Sequence, residues 1–477
     1  MRRLLSAAAV AFSAMLAVSG CTHLLTGKPV SIFADPFRVA GLPATDGPSG
    51  LRPDAAPPTR KVEGGNGGEE DKIAVAAVSD IEEFWKGAYK PLDGEFQPAS
   101  AVVSWDSTEY DGEFCHHDTY DLVNAMYCWD DNNIGWDRGQ LFPMLRKAFG
   151  DMAIPLVLGH EYGHAIQRRA LLAGPATPSL VAEQQADCFA GVYMRWVAEG
   201  DSPRFTLSTS DGLNSVLAAV ISTRDPVQTQ GDSDSDEDEH GSAFERISAF
   251  QMGFTDGTSA CAGIDKNEVK QRRGDLPIAL TGSSNGEWPV TEQSVRAIVD
   301  AMNKTFSPAH PPALTFDTSG AASCSDAHPS PPVSYCPTSN TIAVDLPGLE
   351  KMGTPTGQRR RLVLPVGDNT AYSVLVSRYT LALEKQRGAE LDNAAAALRT
   401  ACLTGVATTK MSQQISVDGQ TVQLAAGDLD EAVSGMLTNG LAASDVNGES
   451  VPSGFSRIDA FRAGVLGDQD RCFKRFP

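Results

Sequence analysis

Two histidines four residues apart stand on either side of a glutamate in His160-Glu161-Tyr162-Gly163-His164. On an α-helix, positions four apart share a face, so both imidazoles can reach one metal ion. The glutamate beside the first histidine can accept a proton from a water molecule on that ion. Only eight histidines occur in 477 residues, which makes chance a poor explanation for this spacing. The pattern indicates a zinc-dependent hydrolase, with Glu161 as general base and not as a ligand.

A second acidic segment can supply the ligand that two histidines lack, since a catalytic zinc needs three protein ligands and one open position. We expect residues 151–169 to form one helix and residues 178–199 to form another, which ends before Gly200. Glu183 and Asp187 lie one turn apart on the second helix. We predict that Glu183 is the third ligand and that Asp187 orients a ligand imidazole. The alternative is that both carboxylates only lie on a solvated helix face.

The cysteines reveal an internal repeat. Apart from Cys21 they form two sets of four, at offsets of 209, 208, 214 and 211: Cys115, Cys128, Cys188 and Cys261, then Cys324, Cys336, Cys402 and Cys472. Residues 244–253 also resemble residues 455–464. Such regular offsets predict two copies of one domain, residues 75–265 and residues 289–477, joined by a connector at 266–288.

The second copy acts as an internal control for the first. Aligning Ala153 with Ala371, and Cys188 with Cys402, places other residues at all five site positions: Arg378 at His160, Tyr379 at Glu161, Ala382 at His164, Ala397 at Glu183 and Ala401 at Asp187. Residues needed only for the fold should persist in both copies. We therefore expect the five residues to serve chemistry and the second copy to be non-catalytic.

The same comparison draws attention to His240, which precedes Gly241-Ser242 and aligns with Val451. A histidine opposite the metal can donate a hydrogen bond to the oxyanion that forms when water attacks a carbonyl. We predict this catalytic role for His240. The alternative is an exposed histidine beside an acidic loop.

Eight cysteines in two sets of four predict disulfides within each copy, although three pairings per copy are possible. We favour pairing the first cysteine with the second and the third with the fourth, giving Cys115–Cys128, Cys188–Cys261, Cys324–Cys336 and Cys402–Cys472.

The amino-terminal residues are typical of an exported lipoprotein. A basic start and an apolar run precede Val18-Ser19-Gly20-Cys21, so residues 1–20 resemble a lipoprotein signal peptide with Cys21 as the lipidated residue. An ordinary secretory signal is the alternative. Residues 21–74 are rich in proline, glycine and alanine and predict a flexible spacer. We therefore expect a protein anchored in the cell membrane, on its extracytoplasmic face, with no further transmembrane segment.

The overall charge is strongly negative. Loss of residues 1–20 removes two of the 39 basic residues and leaves 37 against 60 acidic ones, a net charge of −23. This balance argues against nucleic acid as a partner and does not identify the substrate. Membrane contact is expected only through the lipid, and the oligomeric state stays open.

Three motifs together resemble the bacterial family described as putative neutral zinc metallopeptidases. They are LGHEYGHAIQ at 158–167, EQQADCFAG at 183–191, and His240-Gly-Ser followed by Arg246 and Phe250. The resemblance implies a zincin-like α+β fold, one zinc ion held by two histidines and a glutamate, and hydrolysis of peptide bonds. The chain departs from the family in an acidic insertion at 232–239 and in the degenerate second copy. The lipoprotein features and duplicated plan resemble, less specifically, actinobacterial lipoprotein peptidases.

These inferences converge on a membrane-anchored zinc peptidase of the cell envelope, acting on peptide or protein substrates. The second copy would serve as a platform for substrate or partner. The alternative is a non-catalytic binding or scaffold lipoprotein, which the degenerate copy favours and the intact first motif opposes.

Overall fold

The computed structural model of the chain describes residues 35–229, 240–277, 279–280, 286–356 and 362–477. The expected signal peptide, Cys21 and the acidic insertion at 232–239 lie outside the described residues. Within them the fold is mixed α+β, with helices around several small sheets. None of the described helices is long and apolar enough to cross a bilayer.

The first half contains eight described helices and eleven short strands. The helices are α1 Glu69–Ala88, α2 Leu141–Phe149, α3 Ala153–Arg169, α4 Ser179–Ala198, α5 Asp211–Ser222, α6 Ala243–Asp256, α7 Thr258–Ala262 and α8 Lys266–Arg273. The strands are β1 Arg38–Val39, β2 Leu42–Pro43, β3 Gly50–Leu51, β4 Val102–Trp105, β5 Glu113–Phe114, β6 His117–Asp118, β7 Ala125–Cys128, β8 Asn133–Asp137, β9 Phe205–Thr206, β10 Gln228–Thr229 and β11 Ala279–Leu280.

The described part of the second half contains a further eight α-helices, one short 3-10 helix at Leu441–Ala443, and five strands. The helices are α9 Glu292–Phe306, α10 Ser319–Ala322, α11 Leu346–Met352, α12 Asp368–Gln386, α13 Ala394–Met411, α14 Asp428–Thr438, α15 Gly454–Val465 and α16 Gln469–Arg475. The strands are β12 Ala313–Thr315, β13 Val333–Cys336, β14 Thr341–Val344, β15 Ile415–Val417 and β16 Gln420–Val422.

The expectation of a flexible spacer at 21–74 is wrong for its described part. Strand β3 pairs with β9, and Val39 is fully buried. The Arg52 guanidinium donates to the backbone oxygens of Ser202 and Phe205 at 3.1 and 2.9 Å. Helix α1 already begins at Glu69, before the expected boundary at 75. Composition indicated coil correctly, but long-range hydrogen bonds hold this coil against the domain.

The connector at 266–288 is also structured in part. Its first residues form α8, capped by the Asp265 side chain, which accepts from the N–H groups of Asn267 and Glu268. Arg272 on this helix is buried. The connector therefore packs against the first half.

The central sheet of the first half has the order β4-β8-β7, with one parallel and one antiparallel pair. Helix α3 packs on β7, and α4 lies between α3 and α6. Two glycines bring α4 and α6 together, because a Cβ on Gly191 would collide with the Phe250 carbonyl and one on Gly253 with the Cys188 carbonyl. This close approach places the polar groups of α3, α4 and α6 within reach of each other.

The second half shares several details with the first. Its sheet has the order β12-β14-β13 with the same mixture of pairings. Gly405 and Gly464 make the same backbone contacts between α13 and α15. Asn132 and Asn340 both have positive φ, and each accepts a hydrogen bond from a tyrosine hydroxyl five residues earlier, at 2.8 and 2.9 Å.

Four disulfides join Cys115–Cys128, Cys188–Cys261, Cys324–Cys336 and Cys402–Cys472. The pairing that we favoured from the sequence is thereby confirmed, and each half closes its own two bridges.

The contacts of two tyrosines favour an alignment of α3 with α12 that differs by one residue from the one drawn from the sequence. The Tyr162 ring packs on Phe96 at 6.3 Å and 36°, and the Tyr379 ring packs on Phe306 at 6.3 Å and 34°. Tyr379 therefore corresponds to Tyr162, not to Glu161. In this register Ser377 replaces His160, Arg378 replaces Glu161 and Leu381 replaces His164. The site residues are still absent from the second half, but the substituting residues differ from those we expected.

The two halves share one hydrophobic core, in which α5 and α6 pack against α14 and α15. The Phe254 and Phe455 rings lie 4.9 Å apart across this contact. The Asp430 carboxylate of α14 accepts a hydrogen bond from the Phe244 N–H at 3.0 Å, in the first turn of α6. Helix α6 is thus held at its amino terminus by the other half of the molecule.

We predict that Gly253→Ala destabilises the protein by about 1–3 kcal/mol or more, because the methyl group would overlap the Cys188 carbonyl and push α6 away from α4. Urea unfolding of the full chain measures the change. Gly87→Ala is the matched control, since Gly87 also lies in a helix but has open space around it. The control should stabilise by up to about 1 kcal/mol. Equal effects of the two substitutions would contradict the proposed close packing.

Candidate metal site

The two expected helices are present as α3 and α4, within two residues of the expected bounds. His160 and His164 lie one turn apart in α3, and Glu183 lies in the first half of α4. Gly163 permits this arrangement, because a Cβ there would collide with the backbone of Ala186. The small residues of the HEYGH and EQQAD segments therefore let the two helices approach.

The three expected ligands converge in the structure. The Glu183 carboxylate lies 3.1 Å from His160 Nε2 through one oxygen and 3.3 Å from His164 Nε2 through the other. Two ligands of one tetrahedral zinc ion, each about 2.1 Å from it, lie about 3.4 Å apart. Both observed nitrogen–oxygen separations are close to this distance between ligands. The nitrogen and oxygen donors thus fit zinc in type and in spacing.

Asp187 occupies the position that we predicted for an orienting carboxylate. His160 Nδ1 lies 2.8 Å from Asp187 Oδ1. The Arg246 guanidinium of α6 donates to the same carboxylate through Nε and Nη2, at 2.9 and 2.8 Å, and donates through Nη1 to the Thr223 carbonyl at 2.6 Å. With its Nδ1 proton directed to Asp187, the His160 imidazole presents Nε2 to the cluster.

Gln167 orients the imidazole of the second histidine, His164, as Asp187 orients that of His160. We did not identify this role from the sequence. Its Oε1 lies 3.0 Å from His164 Nδ1, and its Nε2 donates to the Ala182 carbonyl. The second bond determines which end of the amide faces the imidazole. The sequence did contain a signal for this contact. Gln167 follows His164 by three residues, about one helical turn, so the two side chains are neighbours on the helix.

The electrostatics of the cluster favour a cation. Burial lowers the pKa of His160, but the carboxylates of Asp187 and Glu183 raise it more, to about 10. Burial raises the pKa of Glu183, yet the His164 and His160 imidazoles bring it well below its usual range. Two carboxylates beside two imidazoles thus stabilise added positive charge, carried either by protons or by a divalent metal ion.

Glu161 lies beside this cluster but outside the group of three converging donors. One of its carboxylate oxygens accepts a hydrogen bond from the Tyr127 N–H of β7 at 3.1 Å. Burial raises the pKa of Glu161, and the neighbouring histidines lower it. Its position fits a group that exchanges protons and does not bind the ion.

His240 lies on the same side as the cluster. Its Nε2 is 3.9 Å from a Glu183 oxygen, and its Nδ1 is 3.2 Å from Asp225 Oδ1. Asp225 also accepts a hydrogen bond from the Gly241 N–H at 2.7 Å, which ties the histidine segment to the end of α5. About half of the His240 side chain is exposed, so its ring is accessible to a ligand. The sequence did not indicate Asp225.

At the corresponding place in the second half stands a buried guanidinium. Arg378 donates to the Val333 carbonyl of β13 at 3.0 Å and to the Ser444 hydroxyl at 2.9 Å. The neighbouring positions carry Ser377, Leu381 and Ala397, which offer neither imidazole nor carboxylate. This half has similar helix packing but offers no such donor set at these positions.

Comparison with known proteins finds a family that the first half resembles. A family described as "Putative neutral zinc metallopeptidase" matches residues 32–264, including the segment before residue 75. The uncharacterized proteins Mb2605 of Mycobacterium bovis and Rv2575 of Mycobacterium tuberculosis are each 30% identical over 155 residues. That match covers 28% of this chain and 53% of each relative, so the chain spans about half the length of these relatives. No solved structure matches the chain.

The family match covers both helices of the site and the His240 segment. It implies zinc as the metal and a hydrolase as the class of enzyme. Residues 32–264 of the chain are thus similar to the family of putative neutral zinc metallopeptidases.

Proposed function

We propose that the protein is a zinc-dependent peptidase whose single site lies in the first half, in a zincin-like domain. The observation that carries this proposal is the convergence of His160, His164 and Glu183, with Glu161 directly beside them. Three protein ligands leave one position of a tetrahedral ion for water, as catalytic sites require.

Bound zinc would lower the pKa of a coordinated water and polarise a substrate carbonyl. Glu161 then accepts the proton of the attacking water and transfers it to the leaving amine. The Tyr127 N–H holds the carboxylate in place while leaving its second oxygen for the water.

His240 is proposed as the donor to the developing oxyanion. Asp225 holds Nδ1, so Nε2 can donate toward the side of Glu183. A donor aimed at the developing charge lowers the barrier without binding the ground state more tightly.

The second half is proposed to be a degenerate copy that builds part of the substrate-binding surface. A pocket next to His240 is lined by Asp225 and Gly241 from the first half and by Gly427, Leu429 and Asp430 from the second. Phe244 and Leu276 make part of its wall apolar. A peptide side chain entering this pocket would contact both halves, which gives the non-catalytic copy a role in specificity.

The expected export signal and Cys21 support a proposal for location. The protein would be anchored by a lipid on Cys21 to the extracytoplasmic face of the cell membrane. There it would cleave peptides or proteins of the cell envelope. Four disulfides suit an oxidising compartment. Net negative charge makes nucleic acid an unfavourable partner.

A non-catalytic scaffold lipoprotein is the second candidate, and the loss of donors in the second half favours it. The two candidates differ in what they require of the first half. A scaffold has no need of a general base beside a zinc site, whereas a peptidase requires one.

We expect Glu161→Gln to retain about one zinc per chain and to reduce peptide hydrolysis by at least about 10²-fold, because the ligands remain and the base is lost. Elemental analysis and cleavage of a mixed peptide library measure the two effects. His160→Ala is the control that should lose zinc, and His240→Ala should keep zinc while lowering kcat. Hydrolysis by E161Q at the parental rate would refute the mechanism.

We expect Gln167→Leu to weaken zinc binding by about 10–100-fold, because His164 loses the acceptor that orients its Nδ1 proton. Competition with a chelating dye measures the dissociation constant. Gln184→Leu is the matched control, since this neighbouring buried amide has no hydrogen-bond partner among the described residues and leucine stands at the equivalent position 398. The control should bind zinc normally. Equal zinc affinity in both variants would exclude a positioning role for Gln167.

We expect the full chain, expressed in a bacterium that lipidates exported proteins, to incorporate a labelled fatty acid and to partition with the membrane. Cys21→Ala should abolish labelling and release the protein, because no other anchor is expected from the sequence. Cys21→Ser is a matched control for side-chain size and should behave like C21A. Membrane retention of both variants would contradict the lipid anchor while leaving the peptidase proposal intact.

A further inference from the structure

The helix that carries the two histidines, α3, is accessible to solvent along one narrow stripe. Most of its residues are buried, and the partly exposed ones are Val157, Glu161, His164, Arg168 and Arg169. The first four follow each other at spacings of four, three and four residues, so they lie on one face of the helix. Because this stripe contains the proposed base and one ligand, it faces the open space above the metal site.

Arg168 lies on this stripe, one turn beyond His164. Its guanidinium donates through Nη1 to the Tyr127 hydroxyl at 3.2 Å. The hydroxyl in turn donates to Asn132 Oδ1 at 2.8 Å, so its lone pairs are directed to the guanidinium. Tyr127 is the one hydrogen-bond partner of this guanidinium among the described residues, and none of their carboxylates forms an ion pair with it. A guanidinium has five N–H groups, so most of them remain available to a ligand.

The neighbouring Arg169 makes contacts of a different kind. Its guanidinium donates to the Ala165 and Pro98 carbonyl oxygens at 2.8 and 3.0 Å, and also to Asn132 Oδ1. These contacts attach the end of α3 to the segment before β4 and to the turn between β7 and β8. Arg169 is thus a structural residue. Arg168 meets a single neutral hydroxyl, which suits a cation that binds an anionic ligand.

Tyr127 connects the Arg168 guanidinium with the proposed general base. Its N–H donates to Glu161 at 3.1 Å, and its hydroxyl accepts from Arg168. Glu161 and Arg168 are seven residues apart, which is about two turns, or about 10.5 Å along the helix axis. An extended peptide advances about 3.3 Å per residue, so this separation corresponds to about three residues of a substrate.

Helix α12 of the second half offers no comparable stripe. Its residues from Asp368 to Glu384 are all buried, including the cationic Arg378. An accessible cation on the exposed face of a helix therefore accompanies the metal donors in the first half and is absent from these residues of α12.

We propose that Arg168 binds a carboxylate of the substrate, about three residues from the scissile bond. The inference rests on the proposed peptidase function and adds a substrate class to it, namely peptides with a carboxylate at that distance. A planar guanidinium can donate two parallel hydrogen bonds to a carboxylate, which orients the peptide as well as binding it. The chain has a formal net charge of −21, so an anionic group needs a local cation to bind close to the site.

The carboxylate can belong to an aspartate or glutamate side chain or to the carboxyl terminus of the peptide. The best substrate from the mixed peptide library is therefore synthesised in three forms: unchanged, with the acidic residue near the cleavage site replaced by its amide, and with an amidated carboxyl terminus. For the parent, removal of the carboxylate that Arg168 binds should raise KM by about 10–100-fold, with a smaller change in kcat. The form that shows this effect identifies the source of the carboxylate.

Arg168→Gln should raise KM for the unchanged peptide by a similar factor and should no longer discriminate among the three forms. Arg168→Glu should prefer a peptide with lysine in place of the acidic residue, because the charges are then exchanged. Arg169→Gln is the matched control, since it makes the same change in charge at the next position. This control should keep the discrimination and lower Tm instead, because Arg169 attaches the end of α3.

Peptide binding gives a readout that does not require hydrolysis. Zinc-loaded Glu161→Gln and the double variant E161Q/R168Q are titrated with the labelled peptide, and the double variant should bind it about 10–100-fold more weakly.

Equal discrimination by the parent and R168Q would overturn the proposal. A loss of kcat in R168Q that is the same for all three forms would also overturn it, since Arg168 would then only support Tyr127 and Glu161. Failure of the parent to cleave any peptide would instead refute the peptidase proposal, and the binding comparison would still decide whether Arg168 holds a carboxylate.

Discussion

The site depends on the buried Asp187 carboxylate of α4, which contacts side chains from two other helices. Asp187 of α4 accepts from the Arg246 guanidinium of α6 through both of its oxygens and contacts the His160 imidazole of α3. A buried charge is tolerated only when it is paired and fully hydrogen-bonded. The three helices must therefore keep their relative positions for Asp187 to remain stable, and the ligand imidazole is oriented by the same requirement.

Arg246 extends this requirement to the other half of the chain. Helix α6 begins with a capping box in which the Ser242 side chain accepts from the Glu245 N–H, and Asp430 of α14 accepts from the Phe244 N–H. The orientation of α6, and hence of its guanidinium, depends on both contacts. The second half thus helps to position the donors of the first. Loss of the second half would expose the apolar faces of α5 and α6 that pack against α14 and α15.

Local patterns predicted the parts of the site that lie within one helix or between two adjacent helices. The four-residue spacing of His160 and His164 predicted a shared face, and Glu183 with Asp187 followed from the need for a third ligand and an orienting acceptor. The cysteine offsets predicted that disulfides stay within each half, and the pairing that we favoured among the three possible ones is present in the structure. The convergence of His160 with His164 could be anticipated because helix geometry alone relates the two residues to each other.

Contacts between distant segments could not be predicted in this way. Asp225 and Asp430 reach the site region through the packing of α5 and α14, and nothing in their local sequence marks them. Composition also misled us at residues 35–68, where glycine and proline indicated flexibility but Arg52 and Val39 anchor the segment to the domain. Both α3 and α12 are rich in small apolar residues, so the sequence does not determine their alignment, and the packing of Tyr162 and Tyr379 favours a register one residue away from the expected one.

The two halves distribute buried charge differently on similar arrangements of helices and strands. In the first half the concentrated acids lie between α3 and α4, where two imidazoles and Arg246 balance them, and the corner at Asp151 is neutralised by Arg146. In the second half Glu384 and Arg399 form a buried ion pair between α12 and α13, at 2.7 Å, near the place of Gln167 and Gln185. A further group of acids in this half, Glu287, Asp368 and Glu431, lies at the amino termini of α12 and α14. The two halves thus place their buried acids at different points of a similar helix arrangement, and only the first half brings two imidazoles and a carboxylate together among the described residues.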